Sequence, residues 1–204
     1  MAAAASEAHV EQPVPGMTCT TGAARQQRDE RPCLRGSLRS RPGHMDDLAT
    51  IAPAFVDMAH RTVWATMATV DASGRPRSRI VHPCWEWHGG ELTGWVATGP
   101  TPAKRDHLAR HPHASVTYWA PTHDTCTAEC EAAWLVDGDT RCRIWDLFTH
   151  APAPVGYNPA TIPLWSDGPY SPSFAVIRLR PWHLRVFPGS MLLAEKGRIL
   201  AWRA

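Results

Sequence analysis

Between Val63 and Trp119 the apolar positions fall in short runs rich in β-branched and aromatic residues: VWATMATV, RSRIVHPCWEWH, ELTGWVAT and HASVTYW. Runs of this length, bounded by turn residues, read as strands. Asp71-Ala72-Ser73-Gly74 turns the first strand, Val63–Val70, into the second, Arg77–His88, and Gly89-Gly90 turns the second into Glu91–Thr98. Three antiparallel strands with tight connections make a meander, which points to an antiparallel sandwich or barrel and away from a parallel α/β sheet. A short helix follows. Thr101 is a good N-cap, Pro102 suits the first helical position, and Pro112 ends the helix after His111. His113–Trp119 is then the fourth strand.

The flanks add helices and a second group of strands. In Met45–Arg61, Leu48, Ile51, Phe55 and Met58 recur at roughly helical spacing behind Asp46 and Asp47. Pro53 predicts a kink, or a fresh start near Ala52. After a loop at 121–124 come a strand at Thr127–Val136 and an amphipathic helix at Asp139–Thr149, with Ile144, Leu147 and Phe148 on its buried side. Residues 150–173 are rich in Pro, Gly and Ser and read as a long irregular loop of the kind that lines or covers a site. Phe174–Leu179 and His183–Phe187 form a last strand pair, with Pro181 at the break, while Ser190–Ala204 matches no single pattern. Residues 1–44 hold almost no large apolar side chains. They are expected to be a disordered or upstream extension, because such a segment buries too little surface to offset its ordering entropy. The expected fold is therefore mainly β with short helices (α+β), in one domain over 45–204.

Composition narrows the functions. The formal charge of +2 in 204 residues gives no reason to expect nucleic acid or an acidic membrane as partner, and no run reaches the ~18–20 apolar residues of a membrane span. Six cysteines form no C-x-x-C pair and follow no secretory signal; reduced thiols, small core residues and a cytoplasmic location are expected. His107, His111 and His113 do not fall on one helix face, so no metal site is expected. His82 lies on the strand face opposite Arg79 and Val81 and reads as a hydrogen-bonded core or interface residue. Ten tryptophans supply either buried bulk or flat walls for a planar ligand; of these Trp165, on the long loop, is singled out as a wall.

The chemistry concentrates at Thr98–Arg105. A helix N-terminus presents unpaired N–H groups and partial positive charge, so Lys104 in the first turn is unfavourable unless an anion sits there. Thr98 and Thr101 add hydroxyl donors, and Arg79 on the neighbouring strand makes a phosphate site the better reading. No nucleophile elbow, P-loop, zinc-protease helix or dinucleotide fingerprint is present, and no catalytic residue is assigned.

A meander carrying R-x-R-I-V-H (Arg77–His82), followed by Ala97-Thr98, Lys104, Leu108 and His111-Pro112, resembles the pyridoxamine 5′-phosphate oxidase-like family. The resemblance implies an FMN-binding split barrel that dimerises with flavin at the subunit interface. It also implies that Arg79 and Lys104 hold the cofactor phosphate, that Thr98 ends the third strand beside it, and that the main chain at Ile80, Val81 and Ala97 lies along the ring. Two basic positions of the oxidase are Cys84 and Ala103 here, and its C-terminal R-L-H signature has only Arg198-Ile199-Leu200 in its place. The helix at 139–149 is more like the general-stress-protein branch. The activity implied is an FMN-dependent oxidoreductase acting on a small molecule, with the cofactor supplying the hydride chemistry. A deazaflavin reductase, a flavin- or haem-binding module without turnover, and a barrel that has lost its cofactor are the alternatives.

Overall fold

The computed structural model describes residues 45–204; the expectation for residues 1–44 lies outside them. Helix α1 (Leu48–Thr62) is capped by Asp47, whose carboxylate accepts the Thr50 N–H at 2.6 Å. It runs through Pro53 and does not start afresh near Ala52. Its buried residues (Ile51, Ala52, Phe55, Met58 and Ala59) pack on the core, and that burial outweighs one missing backbone hydrogen bond.

Eight strands follow: β1 (Ala65–Val70), β2 (Pro76–Val81), β3 (Pro83–His88), β4 (Glu91–Thr98), β5 (His113–Trp119), β6 (Thr125–Leu135), β7 (Ala175–Phe187) and β8 (Leu200–Arg203). Helix α2 (Pro102–Arg110) links β4 to β5, α3 (Gly138–His150) follows β6, and α4 (Gly189–Ala194) precedes β8. Every pairing is antiparallel, in the order β2-β1-β5-β6-β7-β4-β3, with β8 added to β7.

This order corrects the expected meander. The run 77–88 is not one strand: it divides at His82-Pro83, and its halves pair with β1 at one end of the sheet and β4 at the other. Pro83 has no N–H and opens β3, a place where a strand tolerates proline. Val81 and Pro83 are separated by one residue, so their Cα atoms lie within about 7.6 Å. The two ends of the sheet therefore meet at that point, while no ladder joins β2 to β3. The result is a barrel split along one seam.

The expected break at Pro181 is also corrected. β7 runs unbroken for 13 residues and pairs along the length of β6. The register shifts there, with Cys130 opposite Pro181 and Glu129 opposite His183, so that Trp182 is an extra residue. The bulge absorbs the proline's missing donor without ending the strand.

The barrel interior holds Met67, Trp85, Val116, Tyr118, Ile177 and Leu184, closed by α1. A second apolar cluster lies on the outer side, where Trp95 and Val176 meet Ile144 and Phe148 of α3 and Val155, Trp165 and Phe174 beyond it. Cys84, Cys126 and Cys130 are buried and free, and Cys142 is free and partly exposed.

Trp85 joins several elements at once. Its ring meets Phe55 edge-on at 4.9 Å, its Nε1–H donates to the Tyr118 hydroxyl at 2.8 Å, and its backbone N–H donates to His60 Nε2 of α1 at 3.0 Å. The ring also lies flat over Gly94 of β4, where a Cβ would come within 2.7 Å of it. Gly94→Ala is therefore expected to cost about 1–3 kcal/mol through overpacking, lowering Tm by roughly 2–12 °C in a thermal melt followed by circular dichroism.

Because His60 Nε2 accepts a hydrogen bond, the ring is neutral in the fold, and burial holds its pKa below the ordinary 6.5. The unfolded chain thus binds the proton first. The contribution to stability is complete above pH 6.5 and is lost as the pH falls through the lower folded value. Tm should fall on acidification from pH 6.5 toward that folded value, and His60→Gln, whose amide oxygen can still accept the Trp85 N–H, should flatten the dependence.

Candidate functional site

Arg79 and Lys104 come from different elements and lie near enough for the charge of Arg79 to be felt at Lys104. β2 pairs with β1 so that Arg79 stands opposite Met67 and Arg77 opposite Thr69. The Arg79 Nη2 donates to Thr69 Oγ1 at 2.9 Å and to the Arg77 carbonyl at 3.3 Å, while Nη1 is buried with no partner. Lys104 is the third residue of α2, and its Nζ donates to Thr98 Oγ1 at 2.6 Å and to the Gly99 carbonyl at 3.1 Å.

Both cations are held below their ordinary proton affinity. Burial is the larger cause in each case; Arg77 adds repulsion at Arg79, and Arg79 adds it at Lys104. Among the described residues no carboxylate forms an ion pair with either. Two partly desolvated cations, one of them in the first turn of α2 and the other with an unpaired guanidinium N–H, form a site that an anion would complete.

Thr98 connects this site to a cavity of about 500 Å³. It is lined by Ile80, Val81, Ala97 and Thr98 from two strand ends, by Val63, Trp64 and His82, and by Pro154, Tyr157, Ile162 and Trp165 from the long loop. None of these side chains carries a permanent charge, and the volume suits an organic ligand. His82 stacks on Tyr157 at 5.1 Å and meets Trp64 at 5.2 Å and Phe148 at 5.8 Å. Burial lowers its pKa; a hydrogen bond with the Val155 backbone opposes the shift in part, and His60 adds a smaller downward effect.

The expected site residues fall as follows. Arg79, Thr98 and Lys104 come together at the cationic site, and Ile80, Val81, Ala97, Thr98 and Trp165 line the cavity. Trp165 is itself buried, its Nε1–H donating to the Ser173 carbonyl at 2.7 Å, so it presents only part of its ring. Thr101 is at the N-cap of α2 but is exposed, and its side chain makes no capping bond. The loop 150–173 is not wholly irregular: it holds three single turns of 3-10 helix and buries Val155 and Trp165.

Sequence reasoning missed Trp64, His82, Tyr157, Pro154 and Ile162 as cavity walls. Only the division at His82-Pro83 and the return of the loop bring them together. The residues at the family's altered positions have other surroundings: Cys84 is buried in the outer cluster with its thiol pushed up to about 12, and Ala103 is exposed. Arg198 pairs with the carboxylate of Asp46. Among the described residues no three His, Cys, Asp or Glu side chains converge as metal ligands, and no helix is long and apolar enough to cross a membrane.

Residues 51–186 match the family model described as pyridoxamine 5′-phosphate oxidase. The chain belongs to this family. The match runs from within α1 to near the end of β7 and includes β2, β4 and the start of α2, which carry the cationic site. The fold is similar to that of a Clostridium acetobutylicum protein related to general stress protein 26 (TM-score 0.56, 9% identity), covering 78% of this chain and 96% of that one. It is also similar to general stress protein 26 of Bacillus anthracis (TM-score 0.54, 16% identity; 76% and 98% covered) and to a conserved hypothetical protein of Mycobacterium tuberculosis (TM-score 0.53, 16% identity; 78% and 94% covered). No curated protein matches the sequence.

Proposed function

We propose that this family member binds FMN, with the phosphate between Arg79 and Lys104 and the ring in the adjoining cavity, and acts as an oxidoreductase on a small molecule. The observation that carries this reading is the pair of partly buried cations with no acidic partner, one of them bonded to Thr98, which also lines the cavity. Family membership supports the same reading. Bound flavin supplies the hydride chemistry; the chain's own groups hold the phosphate and keep the ring in an uncharged cleft.

The reading includes a homodimer. Ile80 and Trp64 at the cavity are 66% and 61% exposed, and large apolar side chains at the edge of a pocket favour cover by a second subunit. Light scattering at micromolar concentration should give twice the chain mass, and a monomer alone would overturn this part.

Lys104→Ala tests the phosphate assignment. Loss of one charge-assisted hydrogen bond, about 1.5–3 kcal/mol, should weaken FMN roughly 10- to 150-fold. Riboflavin, which has the same ring but no phosphate, should hardly change. The ratio of the two dissociation constants, from flavin fluorescence quenching on cofactor-free protein, removes any general damage to the fold. A ratio within about twofold of the parent's would show that Lys104 holds no phosphate. Titration of the parent with a deazaflavin cofactor alongside FMN distinguishes the two flavin classes.

A further inference from the structure

Thr69 is almost wholly buried, and its hydroxyl has two partners. Arg79 Nη2 lies 2.9 Å from Oγ1, and Nδ1 of His107 lies 3.1 Å from it. His107 is half-buried and follows Lys104 by three residues on α2, so both share a helix face. Arg79 can only donate to Oγ1. With a neutral imidazole, the Thr69 hydroxyl completes the chain by donating its own proton to Nδ1. With a protonated imidazole, Nδ1–H must donate instead, and the hydroxyl proton has to turn elsewhere. Among the described residues Oγ1 has no third partner.

We propose that His107 is a third, proton-dependent member of the anion site, coupled to Arg79 through the Thr69 hydroxyl. The proposal rests on the phosphate reading above and adds a residue that the family resemblance does not supply. Protonating His107 has two effects in the same direction. It brings a third positive charge beside Arg79 and Lys104, and it releases the Thr69 O–H to donate to an oxyanion held there. With an anion present these are favourable; without one the charge only adds to the repulsion between two unpaired cations.

The surrounding groups leave this coupling undisguised. Of the strands packed on α2, β1 carries no titratable side chain, and β6 carries Glu129, Glu131, Cys126 and Cys130. Glu129 lies 3.6 Å from His183, Glu131 is exposed, and burial pushes both thiols well up, so they stay protonated. Through Thr69 the next charges are Arg79 and Arg77 of β2; α2 itself adds Lys104, Arg105, Asp106 and Arg110.

The test compares the full-length parent with His107→Asn, whose amide oxygen can stand where Nδ1 stands and still take the Thr69 proton but cannot become a cation. Dissociation constants for FMN and riboflavin are measured from pH 5.5 to 8.5, the range across which an imidazole changes charge. FMN's own phosphate titrates near pH 6 but does so identically in both proteins, so the comparison cancels it. The parent's preference for FMN over riboflavin, divided by the variant's, should be near one at pH 8.5 and rise about three- to tenfold at pH 5.5, as expected for one added charge several ångströms away in a partly desolvated site. A quotient that stays within twofold at every pH overturns the role of His107 and leaves the phosphate site standing. If the parent itself binds FMN and riboflavin equally throughout, both readings fall. Should the variant fold poorly, nitrogen NMR of the parent decides. Adding inorganic sulfate near neutral pH should move the His107 ring signals toward the imidazolium form, and no movement at saturating sulfate overturns the proposal.

Discussion

The division of one apolar run at His82-Pro83 is the constraint on which the rest of the architecture depends. A twisted antiparallel sheet of seven strands has two free ends, and this chain crosses from one end to the other within a single residue. That crossing lets Ile80 and Val81 at the end of β2 line one cavity with Ala97 and Thr98 at the end of β4, although the two strands lie far apart in the order of the sheet. A proline at the crossing removes a ladder donor where continuation would otherwise be favoured, and β2 and β3 are left unpaired.

Charge is distributed with the same economy of parts. Some cations of the domain find carboxylates: Arg143 pairs with Glu86 while its guanidinium lies over Trp95, and Arg180 pairs with Glu91. Arg79 and Lys104 are the contrast, partly buried and compensated only by neutral oxygens. A hydroxyl or carbonyl orients a cation without neutralising it, so the fold fixes the geometry of the site and leaves its charge available to a ligand.

Local signals in the sequence were enough to place most elements. Asp71–Gly74 and Gly89-Gly90 mark two turns, Thr101-Pro102 starts α2, and the spacing of Ile144 and Phe148 finds the buried side of α3. Arg79 and Lys104 were picked out by the R-x-R-I-V-H motif and by the place of a lysine in a helix's first turn, and the fold brings them near enough for Arg79 to repel the Lys104 charge. Legibility failed where partners are distant in the chain. Strand pairing is decided by non-local contacts, so Pro83 could mark a break in the run at 77–88, but nothing local says that its two halves pair at opposite ends of the sheet. Pro181 misled for the same reason: whether a proline ends a strand depends on whether the partner can shift register, and β6 does so between Glu129 and Cys130. Tyr157 and Trp64 gave no signal because each meets His82 only after the sheet has curled and the loop has returned.

Asp46 joins the start of the described domain to its last strand. Its N–H donates to the Ala201 carbonyl at 2.7 Å, its carboxylate accepts the Ala201 N–H at 3.0 Å, and the same carboxylate pairs with Arg198. The two ends of the domain therefore sit side by side, fastened by one main-chain bond and by the Asp46 carboxylate. A chain permuted so that a short linker joins residue 204 to residue 45, with new termini opened in the turn at Gly89-Gly90, would keep every strand pairing intact. In such a permutant α1 would follow β8 directly, with the cationic site and the cavity left undisturbed.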